Sequence, residues 1–206
     1  TLFRSRPGVK FHSNDKFTPS RDFNADDVIF TFMRQANADD PWHQYIPGIT
    51  YEYYSSMEMD KLIKSIEKID DNTVKFTLNH PEAPFMANVA MPFVSIMSKE
   101  YADTLEKAGT REDLNNAPIG TGPFKLKSYV KGTGITLERN DGYWGTKAHW
   151  QTVKMVAVPN AGPRLTGLMS GDYDLIENPA ARDLARIKED KKLAFVATPS
   201  TRLVFF

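Results

Sequence analysis

Cysteine is absent from this chain of 206 residues, and so is any excess of charge of one sign. Without cysteine there is no disulfide, no thiol nucleophile and no thiolate metal site. The 26 basic residues balance 26 acidic residues, so the chain lacks the long-range field that would attract nucleic acid or an anionic membrane. It also lacks an apolar run of about 18 residues, so we predict no helix that spans a bilayer.

Residues suited to catalysis or metal binding are few and scattered. The four histidines are scattered, and no two of them stand at i, i+4, so their spacing gives little reason to expect a metal site. The adjacent pairs Asp26-Asp27 and Asp70-Asp71 predict a helix cap and a turn rather than an acid–base pair. No serine stands in a nucleophile-elbow context. We therefore predict that the protein is not an enzyme and needs no cofactor.

Apolar residues make up 41% of the chain, with 13 Phe, 8 Tyr and 3 Trp, which is enough for a buried core. In the first two thirds, helical spacing of apolar residues predicts helices over residues 25–37 and 99–108. Asn24 is the predicted N-cap of the first, and Gly109 ends the second. Alternating residues predict strand hairpins over 61–78 and 124–139, and this part of the chain is α+β.

The last third alternates predicted strands and helices. The strands are residues 153–158, 174–176, 194–197 and 202–206, and the helices are 161–170 and 180–189. This alternation is typical of βαβ units in a mixed sheet. The chain starts with neither an initiator Met nor a signal peptide and stops in the apolar run Leu203–Phe206, so we expect a fragment of a longer protein.

Three segments, in this order, resemble one family. They are GVKFHSNDKFTPSRDFNADDVIFTF at 8–32, IDDNTVKFTLNHPEAPF at 69–85, and PIGTGPFKLKSYVKGTGITLERNDGYW at 118–144. Each resembles the peptide/nickel solute-binding proteins of ABC importers, which are the extracellular solute-binding proteins of family 5, and especially their dipeptide-binding members. The resemblance covers almost the whole chain.

The resemblance implies a mixed α/β and α+β chain that forms part of a type-II periplasmic-binding-protein-like fold, namely a fragment of lobe I of a two-lobed protein. Residues 1–98 would be the outer subdomain of this lobe and residues 99–200 its inner α/β subdomain. Residues 201–206 would begin the hinge crossing into lobe II, which the chain lacks.

The resemblance also implies ligand contacts on this side of the cleft between the lobes. One would come from the Asp-Pro-Trp loop, two from the loop after residue 176, and the others from the segment after the hinge proline. The implied ligand-binding residues are Trp42, Glu177, Asn178, Ser200, Thr201, Arg202 and Phe205.

Two of these residues depart from the family pattern. Trp42 stands where relatives often have Tyr, so its pocket should be narrower and less polar. Arg202 adds a fixed positive charge at the crossing, where dipeptide-type relatives look neutral. Because a guanidinium fork suits a carboxylate or phosphate, we hypothesise an anionic small molecule or the acid end of a peptide as ligand.

The resemblance implies the substrate-binding component of an ABC importer that captures short peptides or similar small solutes. Its partners would be the membrane permease subunits, its location the periplasm or a lipid anchor outside the cell, and its full-length state a monomer. No nucleic-acid partner is expected. The alternatives are a domain of a secreted enzyme whose catalytic residues lie elsewhere, or a binding protein for nickel chelate, haem, glutathione or antimicrobial peptide.

Overall fold

The computed structural model describes residues 1–197, and the chain divides into two compact units. The first is Thr1–Met155 and the second begins at Val156. The predicted subdomain boundary after residue 98 concerns the family architecture and stays a prediction. In the first unit, one buried cluster contains side chains from both sides of that boundary, including Phe17 and Tyr101.

A three-stranded antiparallel sheet forms the first part of unit one. Its strands are β1 (Leu2–Arg4), β2 (Ile63–Asp70) and β3 (Thr73–Leu78), in the order β1-β3-β2. The turn between β2 and β3 is closed by the Asn72 amide, which donates to Asp70 Oδ1 at 2.8 Å. The predicted hairpin over 61–78 is therefore confirmed.

Helix α1 (Ala25–Ala36) contacts both this sheet and the helix that begins at Lys99. Asn24 caps it, because its side-chain oxygen accepts from the Asp26 amide at 3.0 Å and the Asp27 carboxylate accepts from the Asn24 amide at 3.0 Å. Phe32 packs in the cluster against the sheet, and Phe30 packs in a second cluster. The predicted cap and helix are confirmed.

Asp27 is fully buried and connects three parts of the first unit. Its carboxylate pairs with both terminal nitrogens of Arg21 at 2.7 and 2.8 Å, and it accepts from the Lys99 amide at 2.8 Å. A buried carboxylate needs such partners to offset its lost hydration. The bond from Lys99 fixes the start of α1 against the start of the next long helix.

Shorter helices complete the α-helical part of the unit. Helix α5 (Lys99–Ala108) is the longest of them and ends at Gly109, which has φ +70°, as the sequence predicts. The others are α2 (Glu52–Ser56), α3 (Met59–Leu62), α4 (Phe85–Asn88), a 3₁₀ turn (Pro92–Val94) and α6 (Asp113–Asn116).

The second sheet follows the turn at Gly120–Gly122 and has the order β4-β5-β6. Strands β4 (Phe124–Val130) and β5 (Gly134–Arg139) form the predicted antiparallel hairpin, and β6 (Thr152–Val156) begins one residue before the predicted strand. His12 holds the preceding turn: its Nε2 lies 2.9 Å from Gly122 O, and its Nδ1 accepts from the Gly120 amide at 3.3 Å.

The second unit, as far as the described residues reach, is helical. It contains α7 (Ala161–Ser170), a 3₁₀ turn (Ala181–Asp183) and α8 (Leu184–Glu189), which confirms both predicted helices. The predicted strands at 174–176 and 194–197 are wrong, because neither segment is a strand in the structure. The predicted βαβ units are therefore not present in residues 156–197. The predicted strand at 202–206 lies outside the described residues.

The chain after α7 turns back onto the helix instead of pairing as a strand. The Tyr173 amide donates to Gly167 O at 3.1 Å, and a Cβ on Gly167 would lie only 2.3 Å from the Tyr173 ring. This close approach requires glycine at position 167. Leu175, two residues later, is 75% exposed.

Candidate functional site

Trp42, the first implied ligand contact, lies in the core of unit one and is only 4% exposed. Its ring packs edge-on against Phe30 at 5.8 Å and next to Tyr45 at 5.5 Å. The guanidinium of Arg111 lies over the ring, 5.3 Å from its centroid. In this arrangement the indole is part of a packed aromatic cluster, and its contact with a ligand stays a prediction.

Glu177 and Asn178 are exposed on a loop of the second unit. Arg164 on α7 holds this loop, since its Nη2 donates to Asn178 O at 3.0 Å while Nη1 donates to Val158 O and Pro159 O, both at 2.8 Å. Asn178 has φ +52°, a left-handed conformation that asparagine tolerates better than most residues. Arg164 thus shapes the loop through bonds to main-chain carbonyls, and the side chains of Glu177 and Asn178 remain exposed.

The remaining implied contacts cannot be placed. Ser200, Thr201, Arg202 and Phe205 lie outside the described residues, which end at residue 197. Trp42 belongs to the first unit, and Glu177 and Asn178 belong to the second. The implied ligand-binding set therefore stays a prediction as a whole.

A pocket of about 200 Å³ lies beside the Trp42 loop and contains an unusual charge. Arg34, in the last turn of α1, lines this pocket and is only 5% exposed. Its Nη1 donates to the Tyr51 hydroxyl at 3.3 Å, but its buried Nε has no hydrogen-bond partner in the described part of the chain. We call this space the Arg34 pocket.

Aromatic rings form the walls around the guanidinium. Its carbon lies 5.7 Å from the centroid of the Tyr45 ring and 5.5 Å from that of Tyr51. Such stacking offsets part of the cost of burying the charge, because the ring faces are electron-rich. The other side chains lining the pocket are Gln35, Ile49, Thr50, Glu52, Tyr53, Tyr54, Phe93, Met97 and Asn115.

Hydrogen bonds fix the two tyrosines. The Tyr45 hydroxyl donates to Asn115 Oδ1 at 2.7 Å, and the Tyr51 hydroxyl donates to His43 O at 2.9 Å. Burial raises the pKa of both phenols above their usual value, although the Arg34 charge opposes this. Both hydroxyls therefore stay protonated at neutral pH, and Arg34 remains the positive group of the pocket.

The loop itself is attached to α1 through the main chain of Arg34. The His43 ring places Nδ1 2.9 Å from Arg34 O, and since a carbonyl only accepts, Nδ1 carries the proton. The Trp42 amide donates to Asp40 Oδ1 at 2.8 Å. These bonds keep residues 40–45 beside the pocket.

A second cavity, of about 240 Å³, lies between α1 and the first sheet. Its walls are mainly apolar side chains such as Phe3, Val28 and Phe76, and its polar lining residues are Arg4, Ser5 and Asn72. Unlike the Arg34 pocket, it contains no buried side-chain nitrogen or oxygen that lacks a partner. Its mainly apolar lining suits an apolar group.

Sequence reasoning did not find Arg34 or Asn115. A basic residue in the last turn of a helix has a simple explanation in the helix dipole, so Arg34 gave no signal of a site. Its burial depends on Tyr45 and Tyr51, which follow it by 11 and 17 residues in a loop of unknown conformation. Asn115 reaches the pocket from α6, another 64 residues along the chain from Tyr51.

Two features are absent from residues 1–197. These residues contain no group of three or more His, Asp or Glu side chains placed to hold a metal ion. None of their helices combines the length and the apolar character that a membrane crossing needs.

Comparison with known proteins identifies the chain. Residues 3–206 match the model of the bacterial extracellular solute-binding proteins, family 5 Middle. The dipeptide-binding protein of Escherichia coli is 47% identical over 197 residues, which are 96% of this chain and 37% of that protein. Heme-binding protein A of Haemophilus influenzae is 44% identical over 191 residues, which are 93% of this chain and 35% of that protein.

Solved structures agree. HbpA2 from Haemophilus parasuis superposes with a TM-score of 0.88 at 44% identity, over 92% of this chain and 37% of that one. The periplasmic binding protein DppA from Helicobacter pylori, in complex with the peptide STSA, gives 0.87 at 40% identity over the same shares. The fold is thus part of a periplasmic binding protein. The chain belongs to the extracellular solute-binding proteins of family 5, as its three motifs predict, and spans little more than a third of these relatives.

Proposed function

We propose that the chain is part of the substrate-binding component of an ABC importer and that the whole protein captures short peptides for uptake. The observation that carries this proposal is the 47% identity to a protein named for dipeptide binding. Di/tripeptide-binding protein 4 of Pseudomonas aeruginosa adds support, at 43% identity over 193 residues. These relatives are named as binding proteins, which also argues against the secreted-enzyme alternative.

The mechanism that follows is selection by burial. In a two-lobed binding protein the lobes close over the ligand, apolar walls remove its apolar surface from water, and a few polar groups replace its hydration. On this chain, the contacts we propose are the seven implied residues, with Arg202 receiving the acid end of a peptide or another anion.

The partners and location follow from the same proposal. The loaded protein would deliver its ligand to the membrane permease subunits of the importer, and it would act as a monomer in the periplasm or on a lipid anchor outside the cell. Support for the periplasm comes from relatives named as periplasmic, such as the peptide transport protein SapA of Salmonella typhimurium, 37% identical over 203 residues.

Haem is the second candidate ligand. It is favoured by one observation, the 44% identity to heme-binding protein A. This value is so close to that of the dipeptide-binding relative that identity alone does not separate the two ligands.

The test uses the full-length protein, unfolded and refolded to remove bound ligand, and titrated by calorimetry with dipeptides, tripeptides, glutathione and haem. We expect saturable binding of peptides at micromolar concentration or below, and weaker binding by an Arg202→Gln variant for peptides with a free acid end. Tight haem binding with its visible absorbance change, and no heat from peptides, would instead establish the second candidate. Mass spectrometry of the compound that co-purifies with the protein provides an independent check.

A further inference from the structure

We propose that the Arg34 pocket binds a small carboxylate, held by the Arg34 guanidinium and the side-chain amide of Asn115. The proposal concerns a site distinct from the seven implied ligand contacts. It rests on a buried positive charge that the described part of the chain does not neutralise.

The charge balance is the first step. A buried guanidinium loses much of its hydration and normally recovers it from a carboxylate or from several oxygen acceptors. Within residues 1–197, Arg34 makes no ion pair within 4.0 Å, and its side chain makes one hydrogen bond, to the Tyr51 hydroxyl. Glu52 also lines the pocket, but its side chain is exposed to solvent and does not pair with Arg34. Its Nε is buried without a partner. The guanidinium thus has N–H groups for which residues 1–197 supply no acceptor, and those of its terminal nitrogens are the ones that we propose a ligand contacts.

The second step is the amide of Asn115. Its Oδ1 accepts from Tyr45, which orients the side chain, while its Nδ2 donates to no group in the described part of the chain. Asn115 lines the same pocket as Arg34, and the Tyr45 ring connects them: the guanidinium lies over the ring and the amide binds its hydroxyl. The amide therefore offers N–H donors to the same anion.

The third step is size and shape. A space of about 200 Å³ is smaller than the roughly 300–1,000 Å³ of pockets for drug-sized ligands, so it admits a carboxylate with a short substituent. The planar guanidinium fork matches a planar carboxylate, and a lysine ammonium does not reproduce this geometry. The carboxylate is either the acid end of a peptide or a free small acid, because both present the same group.

The test uses the full-length protein, freed of ligand, with N-acetylglycine as the probe and N-acetylglycinamide as its neutral counterpart. We expect calorimetry to show saturable binding of the acid and at least tenfold weaker binding of the amide. An Arg34→Lys variant should weaken binding of the acid at least tenfold. If N-acetylglycine does not bind the wild-type protein, or binds Arg34→Lys equally well, the proposal is wrong and Arg34 only supports the loop.

A second test places a carboxylate of the protein itself in the pocket, where it should exclude the ligand. Asn115 is exposed on α6, so Asn115→Asp should fold, keep an acceptor for Tyr45 and place a carboxylate beside Arg34. We expect loss of N-acetylglycine binding together with a rise in melting temperature. Asn116→Asp is the matched control, because Asn116 is its exposed neighbour and is absent from the pocket lining. Equal binding by the two variants would contradict the proposal.

Competition identifies the source of the carboxylate. If Ala-Ala displaces N-acetylglycine, the pocket receives the acid end of a peptide; if both bind together, it receives a free acid. Failure of the proposed function would appear separately, as absence of peptide binding in a protein that still binds N-acetylglycine.

Discussion

His12 shows how a single side chain joins segments that are distant in sequence. The residue is only 7% exposed, and its two ring nitrogens contact the Gly120–Gly122 turn more than 100 residues later. Because Nδ1 accepts from an amide, the ring must be neutral, with its proton on Nε2. Protonation would add a second donor opposite the Gly120 amide and break this contact.

We predict that His12 makes stability depend on pH. Burial lowers the pKa of His12 below the ordinary 6.5, and the nearby positive charge of Lys125 lowers it further, against the opposing bond to Gly122. The folded state thus binds fewer protons than the unfolded state. The contribution of His12 is complete above pH 6.5 and is lost as the pH falls through the folded-state pKa, by up to about 1.4 kcal/mol per pH unit.

The measurement is the free energy of unfolding of the protein from denaturant titrations between about pH 5 and pH 8, the range over which histidines titrate. His12→Gln should be less stable at pH 8 and should lose the decrease at low pH that is due to His12. His80→Gln is the control, since the His80 side chain is 61% exposed. An unchanged pH profile in His12→Gln would show that another group causes it.

Residues were predictable from sequence where their partners are local. Asn24 was identified as the cap of α1 because its bonds go to Asp26 and Asp27, two and three residues away. Asp27 was identified only as part of this cap, whereas the structure shows that it also binds the Lys99 amide, 72 residues later. Arg34 was not identified as a site residue for the same reason, since the side chains that cover it are distant in the sequence. A pattern along the chain contains no information on which distant segment covers a side chain.

Helices and hairpins were predicted well, and isolated strands poorly. Helix α5 and the β4–β5 hairpin depend on caps, turns and periodicity within about 15 residues. A strand at 174–176 would depend on a neighbour elsewhere in the chain, and the apolar residues alone do not supply one. In the structure, the Tyr173 amide is already paired with α7 through Gly167 O.

At the level of elements we predict that Gly167→Ala destabilises the second unit. The added Cβ would lie 2.3 Å from the Tyr173 ring, so the ring must leave its place on α7, at a cost of about 1–3 kcal/mol. Gly162→Ala is the matched control in the same helix, because its added Cβ meets nothing within 4 Å. There we expect a change of no more than about 0.5 kcal/mol, because Gly162 lies in the first turn of α7 and precedes Pro163, which restricts an alanine at this position.

The melting temperatures of the two variants and of the wild-type protein test this prediction. Similar melting temperatures for both alanine variants would mean that Tyr173 does not depend on the close approach to Gly167. A Gly167→Ala/Tyr173→Ala double variant adds a second check, since removal of the ring should remove most of the additional cost of the alanine.

At the scale of the whole molecule, the family was predicted correctly, because the order of three motifs identified it without any knowledge of packing. The limit at this level is coverage. The chain spans 37% of the dipeptide-binding relative, so surfaces that are exposed here need not be exposed in a protein of that length. Several large apolar side chains in the described residues are strongly exposed, namely Trp150, Met155, Val156, Leu175 and Val196.

We predict that Leu175, 75% exposed here, is buried in the full-length protein. Complete burial of a leucine side chain stabilises a folded protein by about 1.5–3 kcal/mol relative to leaving the side chain in water. Leu175→Asp should therefore destabilise the full-length protein by at least about 2 kcal/mol, because a carboxylate would have to be buried without a partner. Denaturant unfolding of the full-length variant measures this cost.

Ile69→Asp is the comparison. Ile69 is 54% exposed and lies next to the Asp70–Asn72 turn, where charged side chains already meet solvent. Since Ile69 lies in β2 and is about half exposed, we expect its replacement by aspartate to cost about 1 kcal/mol, clearly less than the cost at Leu175. If Leu175→Asp costs as little as Ile69→Asp, the rest of the protein leaves this face of the second unit in water, and the exposure seen in these 197 residues is that of the whole molecule.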